Sequence, residues 1–312
     1  MEKEYKDVTK RAAREGYEKL KEEGGTAVDA VEAAVRVFED SELINAGRGS
    51  ALNCCDKVEC EAMIMNGEDV KTGAVMNVSR FLHPVSLARK VMDESPHCAI
   101  SGDDGALEFA KEKGYPDCKP EELIGSEYPE QKVKIKNSDF DEYGHFIHTG
   151  EPVKERRSEK KLKDDYDTAS AVAIDAQGNL ACATSTGGIA GKLKGRVGDA
   201  PLVGCGGYAN EFGAATTTGH GERMIRMTVA REAVYNMERG LGAKESAQKA
   251  LKRMIDRVKG HGGIIAIDRE GNFGKVCNTV LMVWASIKDD KLEFGLKAEG
   301  IEESLPSSDT TE

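Results

Sequence analysis

The sequence predicts an α+β protein in which strands are packed between layers of helices. Three observations predict this class: helical hydrophobic periodicity early in the chain, strand-like alternation after residue 167, and two long helical segments near residues 222–259. Each half therefore mixes strands with pairs of helices, which is typical of sheets covered by helices. With 312 residues, 32% of them charged and only 5% aromatic, the chain can bury a large core and resembles helix-rich, water-soluble proteins.

The first half contains four predicted helices. Residues 8–23 carry apolar side chains at helical spacing and end at two glycines. Thr26 with Asp29 three positions later predicts a capped second helix, whose apolar face packs into the core. The third runs from Pro84 to Met92, with proline in its first turn, and the fourth from Asp103 to Lys113, before a glycine.

A glycine-rich loop, Asn45–Ser50, precedes a hairpin-like run at 57–65. The lysine and hydroxyl residue of a phosphate-binding loop do not follow it, so we expect no nucleotide site. A metal site at Cys54, Cys55 and Cys60 is disfavoured because no histidine lies nearby in the sequence.

The pattern weakens between about residues 118 and 166. Low apolar content, three prolines and a dense run of mixed charge at 151–165 predict a long, mobile connection. Because such segments inside one domain are usually functional or disposable, we interpret it as the tail left by a chain cut. The chain would thus comprise an α-subunit portion, 1–167, and a β-subunit portion, 168–312, in one folded domain.

The second half begins with a predicted hairpin, Thr168–Asp175 and Leu180–Thr184, joined by Ala-Gln-Gly-Asn. Helices are predicted at 222–239 and 243–259. A second hairpin at 263–276 and a strand pair at 279–296 complete the chain.

Net charge and hydropathy exclude several classes of partner. A net charge of −11 argues against nucleic acid, which is bound by clustered lysine and arginine. No apolar stretch approaches the roughly 18 residues of a membrane span, and the charged N-terminus shows no secretory signal. The eight cysteines lack CxxC spacing, so free thiols and a cytoplasmic location are expected.

Thr168 is a candidate nucleophile. If the chain were cut between Asp167 and Thr168, the new amine, with a reference pKa of about 7.7–8.0, would be a base beside the threonine hydroxyl. The position fits, since it starts a strand behind a cuttable segment. Taken alone, an ordinary strand-starting threonine is the commoner explanation.

Two later clusters strengthen that interpretation. Thr216–Glu222 is predicted to open a helix, where unpaired N–H groups can receive an oxyanion. Arg196 offers a fork for a carboxylate and Asp199 a counter-charge for an ammonium, so together they could grip an α-amino acid. A surface ion pair is the alternative for these two residues.

Several motifs closely resemble the plant-type L-asparaginase/isoaspartyl peptidase family of N-terminal nucleophile hydrolases. In the second half they are DTASAVAID, ATSTGGI, GRVGDAPLVGCGGYAN, TTTGHGE and NTVLMVWAS; in the first half they are GGTAVDAVEAAV, NAGRGSALN, VECEAMIMNG and HPVSLARKVM. The resemblance covers nearly the whole chain except the connection. The glycine pair in TSTGG, where glycosylasparaginases read TSTNG, favours the isoaspartyl peptidase branch.

The resemblance implies a four-layered αββα sandwich that cleaves itself before Thr168. It assigns the nucleophile and base to Thr168, assistance to Thr186, the oxyanion hole to Thr218 and Gly219, and a place near the scissile group to Asn45. It assigns substrate binding to Arg196, Gly198, Asp199, Gly219 and Gly221. His220 is structural in this family, so no catalytic triad is expected.

The resemblance also implies that the substrates are L-asparagine and β-aspartyl dipeptides. No cofactor is required, a structural sodium ion would lie in the loop near Asn45, and the assembly would be a dimer of cleaved heterodimers. Two other interpretations stay open: an unprocessed or impaired homologue, and a protease like the threonine aspartases.

The chain departs from the family pattern at four places. Relatives usually carry an apolar strand and a His-Gly-Gly loop some twenty residues before the first helix, where this chain begins. Without that strand, neighbouring ladder groups would lack partners, at a cost of roughly several kcal/mol. Ser170 replaces a common glycine, Met63 a common small residue, and Tyr166-Asp167 the usual residues before the cut.

Overall fold

The computed structural model describes residues 2–125, 168–279, 281–296 and, for the backbone, 300–304. The helices are α1 (Glu2–Lys21), α2 (Ala27–Glu39), α3 (Pro84–Glu94), α4 (Asp103–Glu112), α5 (Gly221–Met227), α6 (Val229–Glu238) and α7 (Ala243–Val258). The strands are β1 (Cys60–Asn66), β2 (Thr72–Val78), β3 (Ile100–Ser101), β4 (Ala169–Ile174), β5 (Leu180–Thr186), β6 (Gly207–Asn210), β7 (Gly213–Gly219), β8 (Gly262–Asp268), β9 (Phe273–Cys277), β10 (Trp284–Lys288), β11 (Lys291–Gly295) and β12 (Gly300–Ser304). The mixed α and β content is as predicted.

The described strands form three sheets. The first has the order β3-β2-β1-β5-β4, the second β6-β7-β8-β9 and the third β10-β11-β12. Helices α2 and α3 pack on the first sheet, and α6 and α7 pack on the second. The inner faces of these two sheets meet through a buried apolar cluster that includes Met63, Leu180, Cys182 and Ala214. Met63, the departure from the family pattern, is thus part of the contact between sheets.

Most predicted elements are confirmed, including the capped start of α2. Thr26 Oγ1 accepts from the Asp29 N–H at 3.1 Å, and the Asp29 carboxylate accepts from the Thr26 N–H in return. This capping box satisfies N–H groups that the first turn leaves unpaired.

Four boundaries predicted from the sequence are wrong. Helix α1 begins at Glu2 rather than residue 8. Two glutamates lie in its first turn, where their negative charges interact favourably with the positive end of the helix dipole. The segment predicted as one helix at 222–239 is α5 followed by α6, because Thr228 lies in the left-handed region with φ of 46°. Thr216 belongs to β7, so the helix opens only at Gly221. Strand β10 begins at Trp284 instead of 279.

The predicted connection, 118–166, lies mostly outside the described residues. Its first part packs on the body of the protein, because Pro120–Leu123 forms a short 3-10 turn in which Leu123 is fully buried.

Candidate active site

Thr168 directly precedes β4 and is half-buried. Strand β4 pairs with β5 in an antiparallel register that joins Ala169 to Ser185. One further step of this register places Thr168 opposite Thr186, because paired positions in an antiparallel ladder move in opposite directions. The structure therefore brings the candidate nucleophile and Thr186 together. Asp167 lies outside the described residues.

Asn45 holds the backbone that follows Thr186. Its Nδ2 donates to the Gly188 carbonyl at 2.6 Å, and its own carbonyl accepts from the Gly187 N–H at 2.9 Å. A Cβ at Gly187 would lie 2.5 Å from Asn45 Oδ1, which leaves room only for glycine. The Gly188 N–H donates to Thr186 Oγ1 at 3.0 Å, so this loop also fixes the hydroxyl of Thr186.

Strand β7 ends at Thr218 and Gly219, the predicted oxyanion-hole residues. Gly219 has φ of +133°, and a Cβ there would lie 2.4 Å from the His261 carbonyl oxygen. Only glycine fits such a position. Both residues line, with Thr168, one cavity of about 1440 Å³.

Arg196 and Asp199 lie on either side of Gly221. A Cβ at Gly221 would be 2.7 Å from Arg196 Nη2 and 3.0 Å from Asp199 Oδ1, so this glycine keeps the space between the two charges open. Arg196 Nε donates to Glu222 Oε1 at 2.9 Å, while Asp199 Oδ2 accepts from Thr217 Oγ1 at 2.9 Å. A cation and an anion held a few ångströms apart can bind the head group of an α-amino acid.

Burial governs the charge of Asp199. Burial raises the pKa of the Asp199 carboxyl to about 6. The hydrogen bond from Thr217 and the positive charge of Arg196 lower this pKa, but their effect is smaller than that of burial. Asp199 is therefore an anion near neutral pH and becomes neutral in mildly acidic solution.

Glu61, on β1, contacts the segment that carries Arg196 and Asp199. We call Arg196, Asp199 and the groups that hold them the charged cluster. Glu61 Oε2 accepts from the Gly198 N–H at 3.0 Å, and Glu61 Oε1 lies 4.0 Å from the ammonium of Lys192. Both side chains are fully buried. Burial raises the pKa of Glu61, whereas the positive charges of Lys192 and Arg196 and the Gly198 hydrogen bond lower it. Lys192 in turn donates to the Glu59 carbonyl at 2.7 Å, which holds the loop before Arg196 against the residue that precedes β1.

Strand β7 connects the charged cluster with the nucleophile strand. Thr216 Oγ1 donates to Ser170 Oγ on β4 at 3.0 Å, and the next residue, Thr217, bonds Asp199. Successive side chains of a strand point to opposite faces, so the two groups lie on opposite sides of β7. The cavity is lined by Thr168, Thr218 and Gly219, but its lining does not include Arg196, Asp199 or Gly221.

The sequence matches one family over nearly its whole length. The profile of the family described as asparaginase covers residues 1–296. The chain belongs to the asparaginase family.

Three relatives of the chain share one name. A protein from Bos taurus named isoaspartyl peptidase/L-asparaginase is 43% identical over 287 residues, which cover 92% of this chain and 87% of the relative. Proteins with the same name from Homo sapiens and Xenopus laevis are 42% identical over 288 residues and 39% identical over 293 residues. These cover 92% and 94% of this chain and 87% and 89% of the relatives, respectively. Membership of the asparaginase family indicates that the protein is a hydrolase.

Sequence reasoning missed three residues that hold the predicted site of this asparaginase-family chain. Glu61 fixes Gly198, Glu222 bonds Arg196, and Thr217 bonds Asp199. Glu61 carried a signal, since an acid inside the otherwise apolar run at 60–65 has no obvious place on a buried strand.

Across the described ranges, no group of three or more histidine, cysteine, aspartate or glutamate side chains could hold a metal ion. All eight cysteines are free thiols, and Cys60 is buried while Cys54 and Cys55 are exposed. Within the same ranges no helix is long and apolar enough to cross a membrane.

Proposed function

We propose that the protein is a threonine-dependent amidohydrolase that converts L-asparagine to L-aspartate and ammonia and cleaves β-aspartyl dipeptides. One observation carries the proposal: the β4–β5 register directs Thr168 toward Thr186, at the end of a cavity that Thr218 and Gly219 also line. The shared name of the relatives supports the same substrates.

The nucleophile would be unmasked by cleavage between Asp167 and Thr168. Thr168 Oγ1 would attack the preceding carbonyl carbon, with Thr186 as its hydrogen-bonding neighbour. The peptide C–N bond would then break as the Oγ1 proton passes to the nitrogen, and water would hydrolyse the resulting ester. The products are a new carboxylate on Asp167 and a free amine on Thr168. That amine is a base of suitable pKa, about 7.7–8.0 in reference peptides.

Substrate would be oriented before any bond changes. The α-carboxylate of asparagine would pair with Arg196 and its ammonium with Asp199, while the backbone of Gly198, fixed by Glu61, sets the distance between them. The side-chain amide would then point along β7 toward Thr168.

Hydrolysis would proceed through an ester on Thr168. The amine takes the proton of Oγ1, the oxygen attacks the amide carbon, and the oxyanion accepts hydrogen bonds from Thr218 and the Gly219 N–H. Collapse of this intermediate breaks the C–N bond, and the amine's proton leaves with ammonia. Water, deprotonated by the same amine, then hydrolyses the ester and releases aspartate. A β-aspartyl dipeptide follows the same path with an amino acid as the leaving amine.

The remaining family properties are proposals of the same kind. They are the four-layered αββα arrangement, supported by the helices that pack on two facing sheets, and a dimer of cleaved heterodimers. Backbone carbonyls near Asn45 would hold sodium. A cytoplasmic location fits eight free thiols.

The test compares purified wild type with Thr168→Ala and Thr168→Ser. Wild type should split into two fragments, the smaller with Thr168 at its N-terminus, and release ammonia from asparagine. Thr168→Ala should stay whole and inactive, because it lacks the hydroxyl, whereas Thr168→Ser should retain part of both activities. Thr72→Ala, at the start of β2, is the matched control and should behave as wild type. A Thr168→Ala protein that still splits and still releases ammonia would overturn the proposal.

A further inference from the structure

Two cysteines, Cys54 and Cys55, are adjacent in the chain, and both are exposed. Their sulfur atoms lie 3.8 Å apart, so one thiol can donate a weak hydrogen bond to the other. All eight cysteines lie within the described ranges. Of the other six, only Cys98 is exposed, and it has no cysteine beside it in the sequence. Cys54 and Cys55 are thus two accessible neighbouring thiols, which we call the dithiol pair.

A tight turn brings the two sulfur atoms together. In an extended strand, neighbouring side chains point to opposite faces, so adjacent cysteines would direct their sulfurs apart. Here Asn53 Oδ1 accepts from the N–H groups of Cys55 and Lys57 at 2.8 and 3.1 Å. Asp56 adopts the left-handed conformation, with φ of 57°, which aspartate tolerates better than most residues. The side chain of one buried asparagine therefore sets the geometry of the dithiol pair.

The turn is also anchored to the loop that precedes Arg196. The Cys54 N–H donates to the Lys192 carbonyl at 2.8 Å, and the Gly191 N–H donates to the Leu52 carbonyl at 2.7 Å. These two bonds use only main-chain atoms, so they hold the turn in place while both thiols stay exposed. The folded protein therefore fixes the backbone of the dithiol pair before any ligand arrives.

A direct disulfide between the two thiols would be strained. The Cα atoms of adjacent residues are about 3.8 Å apart across a trans peptide bond, whereas disulfides usually join Cα atoms about 4.4–6.8 Å apart. The sulfurs of Cys54 and Cys55 would also have to approach from 3.8 Å to about 2.0 Å, within a turn that is already fixed. The dithiol pair is therefore better suited to share a bridging atom than to form a disulfide.

A single atom bound to both sulfurs fits the observed spacing. With bonds of about 2.3 Å, the length of a typical metal–thiolate bond, and angles of roughly 90–110°, the two sulfurs are held roughly 3.3–3.8 Å apart. The observed 3.8 Å lies at the upper end of this range, so the sulfurs need to move by no more than about half an ångström.

The number of available ligands selects the kind of bridging atom. Across the described ranges, no group of three or more histidine, cysteine, aspartate or glutamate side chains could hold a metal ion, so a zinc ion would obtain only two of its four ligands here. A trivalent arsenic atom that carries one organic group needs two sulfurs and no third protein ligand. The hydrogen bond with Cys54 and the charge of Cys54 also raise the pKa of the Cys55 thiol, which disfavours a cation that requires two thiolates.

We propose that Cys54 and Cys55 form a binding site for trivalent arsenic compounds of the type R–As=O. The two S–H bonds and the arsenic–oxygen bond break, two As–S bonds form, and the oxygen leaves as water with the two thiol protons. Arsenic remains trivalent, so the step needs neither an oxidant nor a reductant. The site is independent of the proposed hydrolysis, because binding requires neither cleavage nor Thr168.

The probe is phenylarsine oxide, added to the full chain under reducing conditions. Native mass spectrometry should show one arsenical bound per chain, with loss of one water molecule. Dimercaptopropanol should remove it, whereas the monothiol mercaptoethanol at the same thiol concentration should not, because only a dithiol replaces both sulfurs at once. Cys54→Ser and Cys55→Ser should each bind at least tenfold more weakly, whereas Cys98→Ser, the matched control, should bind as wild type.

A second comparison tests whether the fold builds the site, since any two adjacent cysteines offer two thiols. Asn53→Ala keeps both thiols but removes the acceptor of the Cys55 and Lys57 N–H groups, so it should bind at least fivefold more weakly. The matched control is Asn66→Ala, because Asn66 Oδ1 accepts from the Glu68 N–H at 3.2 Å in another turn, and this variant should bind as wild type. Because the folded chain binds more tightly than the unfolded chain, the arsenical should raise the thermal unfolding midpoint of the wild type.

Several outcomes would overturn the proposal. They are the absence of a bound arsenical, equal release by the monothiol, and loss of binding in Cys98→Ser as large as in Cys54→Ser. An unchanged or lowered unfolding midpoint would show that the fold does not build the site. A wild-type mass lower by two hydrogens in air, and normal in Cys54→Ser, would show that the two thiols form a disulfide instead. Because no readout depends on ammonia release, an inactive protein still gives a clear result.

Discussion

The two parts of the candidate site differ in how firmly the protein holds them. The side chains of Arg196 and Asp199 are mostly buried and have hydrogen-bonding partners: Glu222 accepts from Arg196, and Thr217 donates to Asp199. Glu61 acts indirectly, because it accepts from the N–H of Gly198, which lies between them. Around Thr168, the chain is half-buried and leads into the edge strand of a sheet, beside a large apolar cavity.

This difference indicates that the two parts depend on different events. The charged cluster is arranged by hydrogen bonds within the second half and by Glu61, so it is preorganised before any cut. The nucleophile depends on cleavage, which frees its amine, and on the contacts that hold β4 in position. Substrate binding and bond breaking should therefore respond separately to mutation, and three predictions test that separation.

The largest effect is expected for Arg196→Leu. Loss of the guanidinium leaves the substrate carboxylate without its partner, which costs roughly 2–5 kcal/mol, so kcat/KM for asparagine should fall roughly thirty- to several-thousand-fold. Steady-state kinetics measures the loss. Self-cleavage should proceed at the wild-type rate, because Thr168 and Thr186 are untouched.

The matched control is Arg226→Leu, an exposed arginine in the last turn of α5, which should leave both activities unchanged. Arg196→Leu with unaltered kcat/KM, or with cleavage slowed as much as hydrolysis, would remove the distinction between the two parts.

Some of this arrangement can be read from the sequence because it is local. The turn between Asp175 and Asn179 fixes the hairpin register, and the register in turn fixes the position of Thr168 opposite Thr186. The capping box of α2 is equally local. The break at Thr228 cannot be predicted, since threonine rarely adopts the left-handed conformation and tertiary packing overrides its preference.

The role of Glu61 depends on distant parts of the chain. A carboxylate within a strand indicates an exposed face, unless cations from elsewhere accompany it into the interior. Lys192 and the Gly198 N–H come from the other half of the chain, and only the fold brings them to Glu61. The cavity beside β4 is likewise a property of packing between α1, α2 and three sheets, which no local pattern encodes.

An intermediate effect is expected from pH. Asp199 must be ionised to bind an ammonium, and its pKa is raised by burial to about 6. A Thr168 amine freed by the proposed cleavage must be neutral to act as a base, and the reference pKa of an α-amino group is about 7.7–8.0. Hence kcat/KM should fall about tenfold per pH unit below the amine pKa and about a hundredfold per unit below pH 6.

Asp199→Asn separates these two ionisations. The variant should have a lower kcat/KM throughout but keep only the tenfold slope, whereas Asp256→Asn, on the exposed face of α7, should keep both slopes.

The free energy of unfolding should change with pH in the opposite direction. The folded protein holds the Asp199 proton more tightly than the unfolded chain, in which the carboxyl has its ordinary pKa of 3.8. The contribution of Asp199 to the stability of the wild-type protein is therefore lost as the pH rises from about 3.8 to 6, and the variant lacks this contribution. If kcat/KM of Asp199→Asn still fell about a hundredfold per unit below pH 6, the second ionisation would belong to a group other than Asp199.

The smallest effect is expected at the contact that joins the two parts. Thr216 Oγ1 donates to Ser170 Oγ at 3.0 Å and so links β7, whose Thr217 bonds Asp199, to β4, which directly follows Thr168. A neutral hydrogen bond contributes about 0.5–1.5 kcal/mol, and the same range is expected for the coupling between Ser170→Ala and Thr216→Val in a double-mutant cycle of unfolding free energies. Each single variant should reduce kcat less than tenfold and leave KM nearly unchanged, since neither residue contacts Arg196 or Asp199 in the proposed substrate complex. A coupling energy below about 0.3 kcal/mol, or a rise in KM that matches the fall in kcat, would show that β4 is positioned by other contacts.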